Sequence, residues 1–159
     1  MNKCLLYLIA LTLVQRVEAQ KSNLKMEVAL IDSYAKATSD DSLFHKSCHD
    51  LFAVENSHDK IGSACTEYFS VRNSKGWRKI VTRRLYPRNE YISTFFYKNG
   101  NLVKAQLSQI KNDSVLYFYS YYIKKNSVIH QIGQDYPLVE NGIDIFSESK
   151  RLQKQFIKQ

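Results

Sequence analysis

Phe95-Phe96-Tyr97-Lys98-Asn99-Gly100-Asn101-Leu102-Val103-Lys104 returns in outline 26 residues later as Tyr121-Tyr122-Ile123-Lys124-Lys125-Asn126-Ser127-Val128-Ile129-His130. Each copy is an aromatic run, a short basic turn containing Asn, and an aliphatic run, the pattern of a β-hairpin. Around these two copies, further breaks fall at Asn73-Ser74-Lys75-Gly76, Pro87-Arg88-Asn89 and Asn112-Asp113. Five turns divide the chain after Thr66 into six strands of alternating apolar and polar residues, a β-meander. Asn99-Gly100 has the residue types that accept the positive φ angles of a type I′ turn.

Pairing across the turns predicts which side chains share a face. A hairpin centred on Asn99-Gly100 pairs Phe96 with Val103 and Ile92 with Leu107; one centred on Asn112-Asp113 pairs Leu107 with Phe118 and Val103 with Tyr122. Ile92, Phe96, Val103, Ala105, Leu107, Leu116, Phe118 and Tyr122 then make an apolar face. The opposite face carries Tyr91, Phe95, Tyr97, Lys104, Tyr117, Tyr119, Tyr121 and His130. Of these, Tyr97, Lys104, Tyr117, Tyr119, Tyr121 and His130 are the candidate ligand contacts, because tyrosine rings offer flat apolar surface and their hydroxyls offer orientation. Core packing beneath a helix accounts for the same rings equally well.

Ahead of the strands, Leu24, Val28, Ile31 and Ala35 recur at helical spacing after Asn23, a candidate N-cap, and predict a helix over 24–37. Leu43, Phe44, Cys48, Leu51 and Phe52 predict a second helix fading near Asn56. Past Pro137 and Gly142, Ile145, Phe146, Leu152, Phe156 and Ile157 predict a closing helix with a charged outer face. The expected fold class is α+β: N-terminal helices, an antiparallel meander of five to six strands, and a C-terminal helix.

The N-terminus reads as an export signal: Lys3, an apolar core of 11 residues from Cys4 to Val14, and Val17-Glu18-Ala19 with small residues where a signal peptidase cuts. That core is shorter than the roughly 20 residues a membrane span needs. Cleavage is expected between Ala19 and Gln20, leaving residues 20–159 as one domain, secreted or periplasmic, with no stable membrane span. Losing Lys3, Arg16 and Glu18 takes Lys+Arg from 23 to 21 and Asp+Glu from 15 to 14, a mature net charge of +7. In an oxidising compartment Cys48 and Cys65 are expected to form a disulfide. Asn112-Asp113-Ser114 has the pattern of an N-glycosylation acceptor and also of an ordinary turn.

Chemistry-bearing residues are few. His45, Cys48 and His49, with His58 and Cys65 downstream, form the one metal-binding candidate, since histidines four apart on a helix can share an ion. This cluster defines the second reading of the chain, a small secreted metal-binding protein or hydrolase. Against it, the spacing fits no strong zinc pattern and the thiols are better used in a bridge. There is no Gly-rich phosphate loop and no inward pair of carboxylates, so an enzyme is the minor reading and no cofactor is expected.

Arg72, Lys75, Arg78, Lys79, Arg83, Arg84 and Arg88 surround Trp77 on the first two strands of the meander. Such a run could hold nucleic acid or a sulfated glycan. Alternation sends Lys79 and Arg83 to one face and Arg78 and Arg84 to the other, and a charged edge strand protected against aggregation is the preferred explanation. The expected partners are a protein, a peptide, a glycan or a small amphipathic ligand, with nucleic acid disfavoured.

From Tyr91 to Ile132, aromatic strands that end in Lys-Asn-Gly or Lys-Lys-Asn and resume with Leu-Val or Val-Ile resemble the β-meanders of uncharacterised exported bacterial proteins, as does the Ala-Gln junction. A meander beside an N-terminal helix is also similar to cystatin-like and NTF2-like domains. That resemblance implies an α+β fold; no inhibitory or catalytic motif of either group is present to carry over. The chain is thus expected to be an exported binding or interaction module that uses a curved sheet.

Overall fold

A computed structural model describes residues 3–40, 42–52, 60–70, 77–112, 114–133 and 144–157, with side chains described from residue 16 onward apart from those of 17, 40, 42–44, 60, 156 and 157. Helix α1 (Lys3–Ala37) runs into a short 3₁₀ turn, Thr38–Asp40. Seven strands follow: β1 (Ser42–Phe52), β2 (Lys60–Ser70), β3 (Lys79–Tyr86), β4 (Asn89–Lys98), β5 (Asn101–Lys111), β6 (Ser114–Lys124) and β7 (Ser127–Ile132). Helix α2 (Ile145–Ile157) closes the described chain. All strands belong to one antiparallel sheet in the order β1 to β7, an unbroken meander, so the α+β expectation holds.

Two expectations about the helices change. Asn23 lies inside α1 instead of capping it, because nothing from Lys3 to Ala37 is Gly or Pro and Leu, Ala, Lys, Gln and Glu dominate, so the helix has no reason to start late. Its predicted inner stripe is kept: Leu24, Val28 and Ile31 are half-buried and Ala35 is buried, whereas Met26 and Leu30 are exposed. The second helix is replaced by β1, whose sequence Ser-Leu-Phe-His-Lys-Ser-Cys-His-Asp-Leu-Phe is made mostly of weak helix formers. Pairing with β2 supplies a ladder that a helix there would forgo, and it brings Cys48 opposite Cys65 in a disulfide with Cα atoms 4.1 Å apart.

The six strands predicted after Thr66 are present as β2 to β7. Asn99 (φ 52°) and Gly100 (φ 77°) take the positive φ angles expected of them. Lys125 (φ 50°) and Asn126 (φ 60°) do the same, so the echoed segments share a turn geometry as well as a composition. The turn at 73–76, and the residues Asn56, His58, Arg72, Pro137 and Gly142, lie outside the described residues.

Register is where the predicted pairing fails. Tyr97 pairs with Leu102, but Phe96 pairs with Lys104, which leaves Val103 as an unpaired extra residue. Leu116 is skipped in the same way between β5 and β6, and Ile129 between β6 and β7. Each is a β-bulge, and one extra residue exchanges the faces of everything beyond it. The faces predicted from simple pairing hold for β4 and β6 and are corrected elsewhere: Ala105 and Leu107 join the tyrosines, and Lys104 and His130 join Phe96 and Tyr122. One face holds Tyr68, Ile80, Phe95, Ala105 and Tyr121 in a row, flanked by Tyr97, Leu107, Tyr119 and Ile123. The other holds the row Phe69, Lys79, Phe96, Lys104, Tyr122 and His130. Phe118, predicted to be core, is 46 % exposed, and Leu116 is exposed as well.

Helix α2 covers the first face. Ile145 and Leu152 join Tyr68, Ile80, Phe95, Tyr97, Leu107, Tyr119 and Ile123 in the hydrophobic core, with Trp77 and Phe146 packed against it. Tyr97 Oη lies 3.0 Å from Ser149 Oγ, and Tyr68 Oη donates to Leu152 O at 3.3 Å. Asp144 caps the helix by accepting from the Phe146 N–H at 3.0 Å and the Ser147 hydroxyl at 2.6 Å, which holds its carboxyl below the ordinary range. The Arg151 guanidinium lowers the Glu148 carboxyl by the same kind of contact.

Candidate functional site

The last turns of α1 pack on the second face, over its row of alternating rings and cations. Lys79 Nζ lies 4.1 Å from the Phe69 ring centre and donates to Ser39 O at 3.4 Å, where the negative end of the helix favours a cation. Lys104 Nζ lies 5.0 Å from the Tyr122 ring centre and 2.6 Å from Asp32 Oδ1. Tyr122 Oη donates to both Asp32 oxygens, at 3.0 and 3.1 Å. Burial and then the Asp32 carboxylate push the Tyr122 hydroxyl up to about 12. Tyr34 completes the clamp, donating its hydroxyl to Tyr97 O with Arg78 and Lys98 over its ring at 5.9 and 5.6 Å.

Beside this clamp, α1 and the ends of the two echoed hairpins enclose an open cleft of about 520 Å³. Leu30 and Ile31 of α1 line it, together with Leu102 and Ile123, core residues that precede the bulge of one hairpin and the turn of the other. Val103 and Ile129, the two unpaired bulge residues at equivalent places in the repeat, line it as well. Bulges re-aim side chains that a regular ladder would point elsewhere, and here both re-aimed residues reach the same hollow. The rim is polar: Asn99, Asn101 and Asn126 from the turns, Lys98, Lys124 and Lys125, and Glu27, which pairs with Lys124. An aliphatic hollow of this size with a few polar groups at its mouth has the proportions of a small-molecule site.

None of the six ligand contacts read from sequence lines this cleft. Tyr97 and Tyr119 are 1 % exposed, sealed beneath α2. Burial raises the hydroxyl of Tyr97 above its ordinary value. Tyr117 and Tyr121 are half-buried on that same side, where burial likewise raises both hydroxyls. Lys104 and His130 lie on the opposite face, His130 with its ring 5.7 Å from that of Tyr122. The cleft is not legible from any one stretch of sequence, because it is built from α1 and two turns far apart in the chain; its only sequence signal is the repeat itself.

The cluster at 45–65 is dispersed by the same register. In strand β1, His45 and His49 are about 13 Å apart, not one helical turn. Cys48 and Cys65 are bridged on the face opposite these histidines. Among the described residues no three His, Cys, Asp or Glu groups converge on a point that would hold a metal ion; His58 lies outside them.

The basic run around Trp77 is also divided. Lys79 is buried under α1, Arg83 pairs with Glu90 at 3.1 Å, and Arg84 and Arg88 are exposed. The edge-strand explanation for it is corrected, because β3 sits between β2 and β4; Lys75, like Arg72, lies outside the described residues. No helix among the described residues is long and apolar enough to cross a membrane. Comparison with family models, with curated proteins and with solved structures finds no match to this chain.

Proposed function

We propose that the chain is an exported binding module and that the cleft between α1 and the two hairpin ends holds its ligand, a small amphipathic molecule. The observation that carries this reading is the convergence of Val103 and Ile129: two equivalent bulges turn two aliphatic side chains into one hollow instead of burying them in the sheet. Export is supported by the apolar core Cys4 to Val14 and the Ala19-Gln20 junction. The Cys48–Cys65 bridge suits an oxidising compartment. Among the described residues, every side-chain bond from α1 to the sheet comes from Glu27 or beyond, past the expected cleavage point.

Uptake of a neutral environment-sensitive dye such as Nile red by the purified protein tests the cleft. Val103→Trp and Ile129→Trp, each filling the hollow from one side, are expected to reduce dye uptake at least tenfold with the circular dichroism spectrum unchanged. Unchanged uptake in both variants would remove the cleft from consideration. N-terminal sequencing of protein recovered outside the cytoplasm is expected to begin at Gln20.

A further inference from the structure

We infer that the ligand of this cleft is a single-chain amphiphile with an anionic head group, an alkyl carboxylate in its simplest form; the inference rests on the cleft being a binding site, as proposed above. Among the described residues that line it, none is aromatic. A sugar or a planar ring is ordinarily held by stacking on aromatic faces, which the cleft does not offer. Its walls are Leu30, Ile31, Leu102, Val103, Ile123 and Ile129, so what it can remove from water is a flexible aliphatic segment.

Charge at the mouth selects the head group. Three lysines and one carboxylate stand on the rim, and that carboxylate, Glu27, is engaged by Lys124. Lys98 and Lys125 have no carboxylate partner among the described residues. Both are exposed and sit at the two equivalent turns, Lys98 ahead of Asn99 and Lys125 at the first turn position. An anion placed at the mouth would meet two cations, a cation would meet the same two in repulsion, and the amide side chains of Asn99, Asn101 and Asn126 add neutral hydrogen-bonding groups. The net charge of +8 on the whole chain adds attraction at longer range.

Calorimetric titration of the full chain with three probes of equal chain length, dodecanoate, 1-dodecanol and dodecyltrimethylammonium, all below their aggregation concentrations, tests this. Dodecanoate is expected to bind at least tenfold more tightly than dodecanol, with the ammonium weakest. The double variant Lys98→Gln/Lys125→Asn, whose Asn suits the positive φ at that position, is expected to lose that preference while keeping its affinity for dodecanol. Equal affinities for the three probes, or an unchanged preference in the variant, would overturn the anionic head group and leave the cleft intact as a binding site. Absence of binding by all three, with Nile red uptake also absent, would overturn both readings.

Discussion

Lys104 and Asp32 join the sheet to the helix: the ammonium of a lysine only 6 % exposed lies 2.6 Å from a carboxylate 72 residues earlier in the chain. The pairing of Lys104 with Phe96 is what makes the contact possible. It turns Lys104 away from the core under α2 and toward α1, where Asp32 and the Tyr122 ring receive it. The bulge beside it directs Val103 into the cleft. The shape of the candidate site thus depends on one extra residue in one strand, and helix anchoring on the register beside it.

Replacing Asp32 with alanine would leave the Lys104 ammonium and the Tyr122 hydroxyl without their acceptor. The expected cost is about 1–3 kcal/mol, since a buried donor loses its partner while its desolvation stays. Asp32→Ala combined with Lys104→Met is expected to recover most of that loss, because the buried charge is then gone. As a control, Glu67→Ala removes a partner from Lys46, whose side chain is 49 % exposed, and should change stability by less than about 1 kcal/mol. Urea denaturation of the four proteins measures these differences; equal losses for Asp32→Ala and Glu67→Ala would show that the Lys104–Asp32 pair does not anchor the helix.

Alkaline pH attacks the same clamp. Tyr122 ionises at about 12 in the folded chain and near its ordinary value of about 10 once unfolded, because burial and the Asp32 carboxylate disfavour the phenolate. Between those values the folded state holds more protons than the unfolded one, so stability falls as pH rises. The contribution is complete below about pH 10 and disappears on passing about pH 12. Tyr97, raised by burial, acts in the same direction. Melting temperature is expected to drop steeply across that interval and less steeply in Tyr122→Phe; identical slopes would rule out the linkage.

Turns were legible in the sequence because their cause is local. Asn99-Gly100 announces its own φ angles, and Leu24, Val28, Ile31 and Ala35 announce the buried face of α1. Bulges announce nothing: Val103, Leu116 and Ile129 are ordinary strand residues, and only the competition between two strands and the layer above them selects which one is left unpaired. A single extra residue then misassigns Lys104, Ala105 and Leu107 together, whereas Phe96, Phe118 and Tyr122 share a face as predicted. The helix predicted in place of β1 fails for a related reason, since the pairing with β2 and the Cys48–Cys65 bridge are nonlocal. The candidate cleft was half-legible, as a repeat without a place for its two copies to meet.

The disulfide ties β1, which forms one edge of the sheet, to β2 across a sequence separation of 17 residues. Closing a loop of that length contributes about 3 kcal/mol by restricting the unfolded chain. Cys48→Ala/Cys65→Ala is expected to lose about that much in urea and to exchange the amides of β1 faster than those of β4 and β5, because β1 pairs on one side only. Unaltered exchange in β1 would show that the ladder with β2 holds this edge without the bridge.

Deleting single bulge residues separates the cleft from the fold. Tyr97 already pairs with Leu102 and Phe96 with Lys104, so without Val103 those two pairs become consecutive and the ladder closes regularly, with Lys104 still facing Asp32. The chain lacking Val103 is therefore expected to fold with its strand content intact and to unfold cooperatively, but to take up Nile red at least tenfold less than the parent. Deletion of Leu116 removes a bulge of the same kind that does not line the cleft, and it is expected to leave uptake within about twofold. If the two deletions impair uptake equally, twist of the whole sheet governs binding and the hollow beside α1 is not the site. If only the Val103 deletion does so, the re-aimed side chain is the cause, since the pairing on either side of it is the same in both proteins.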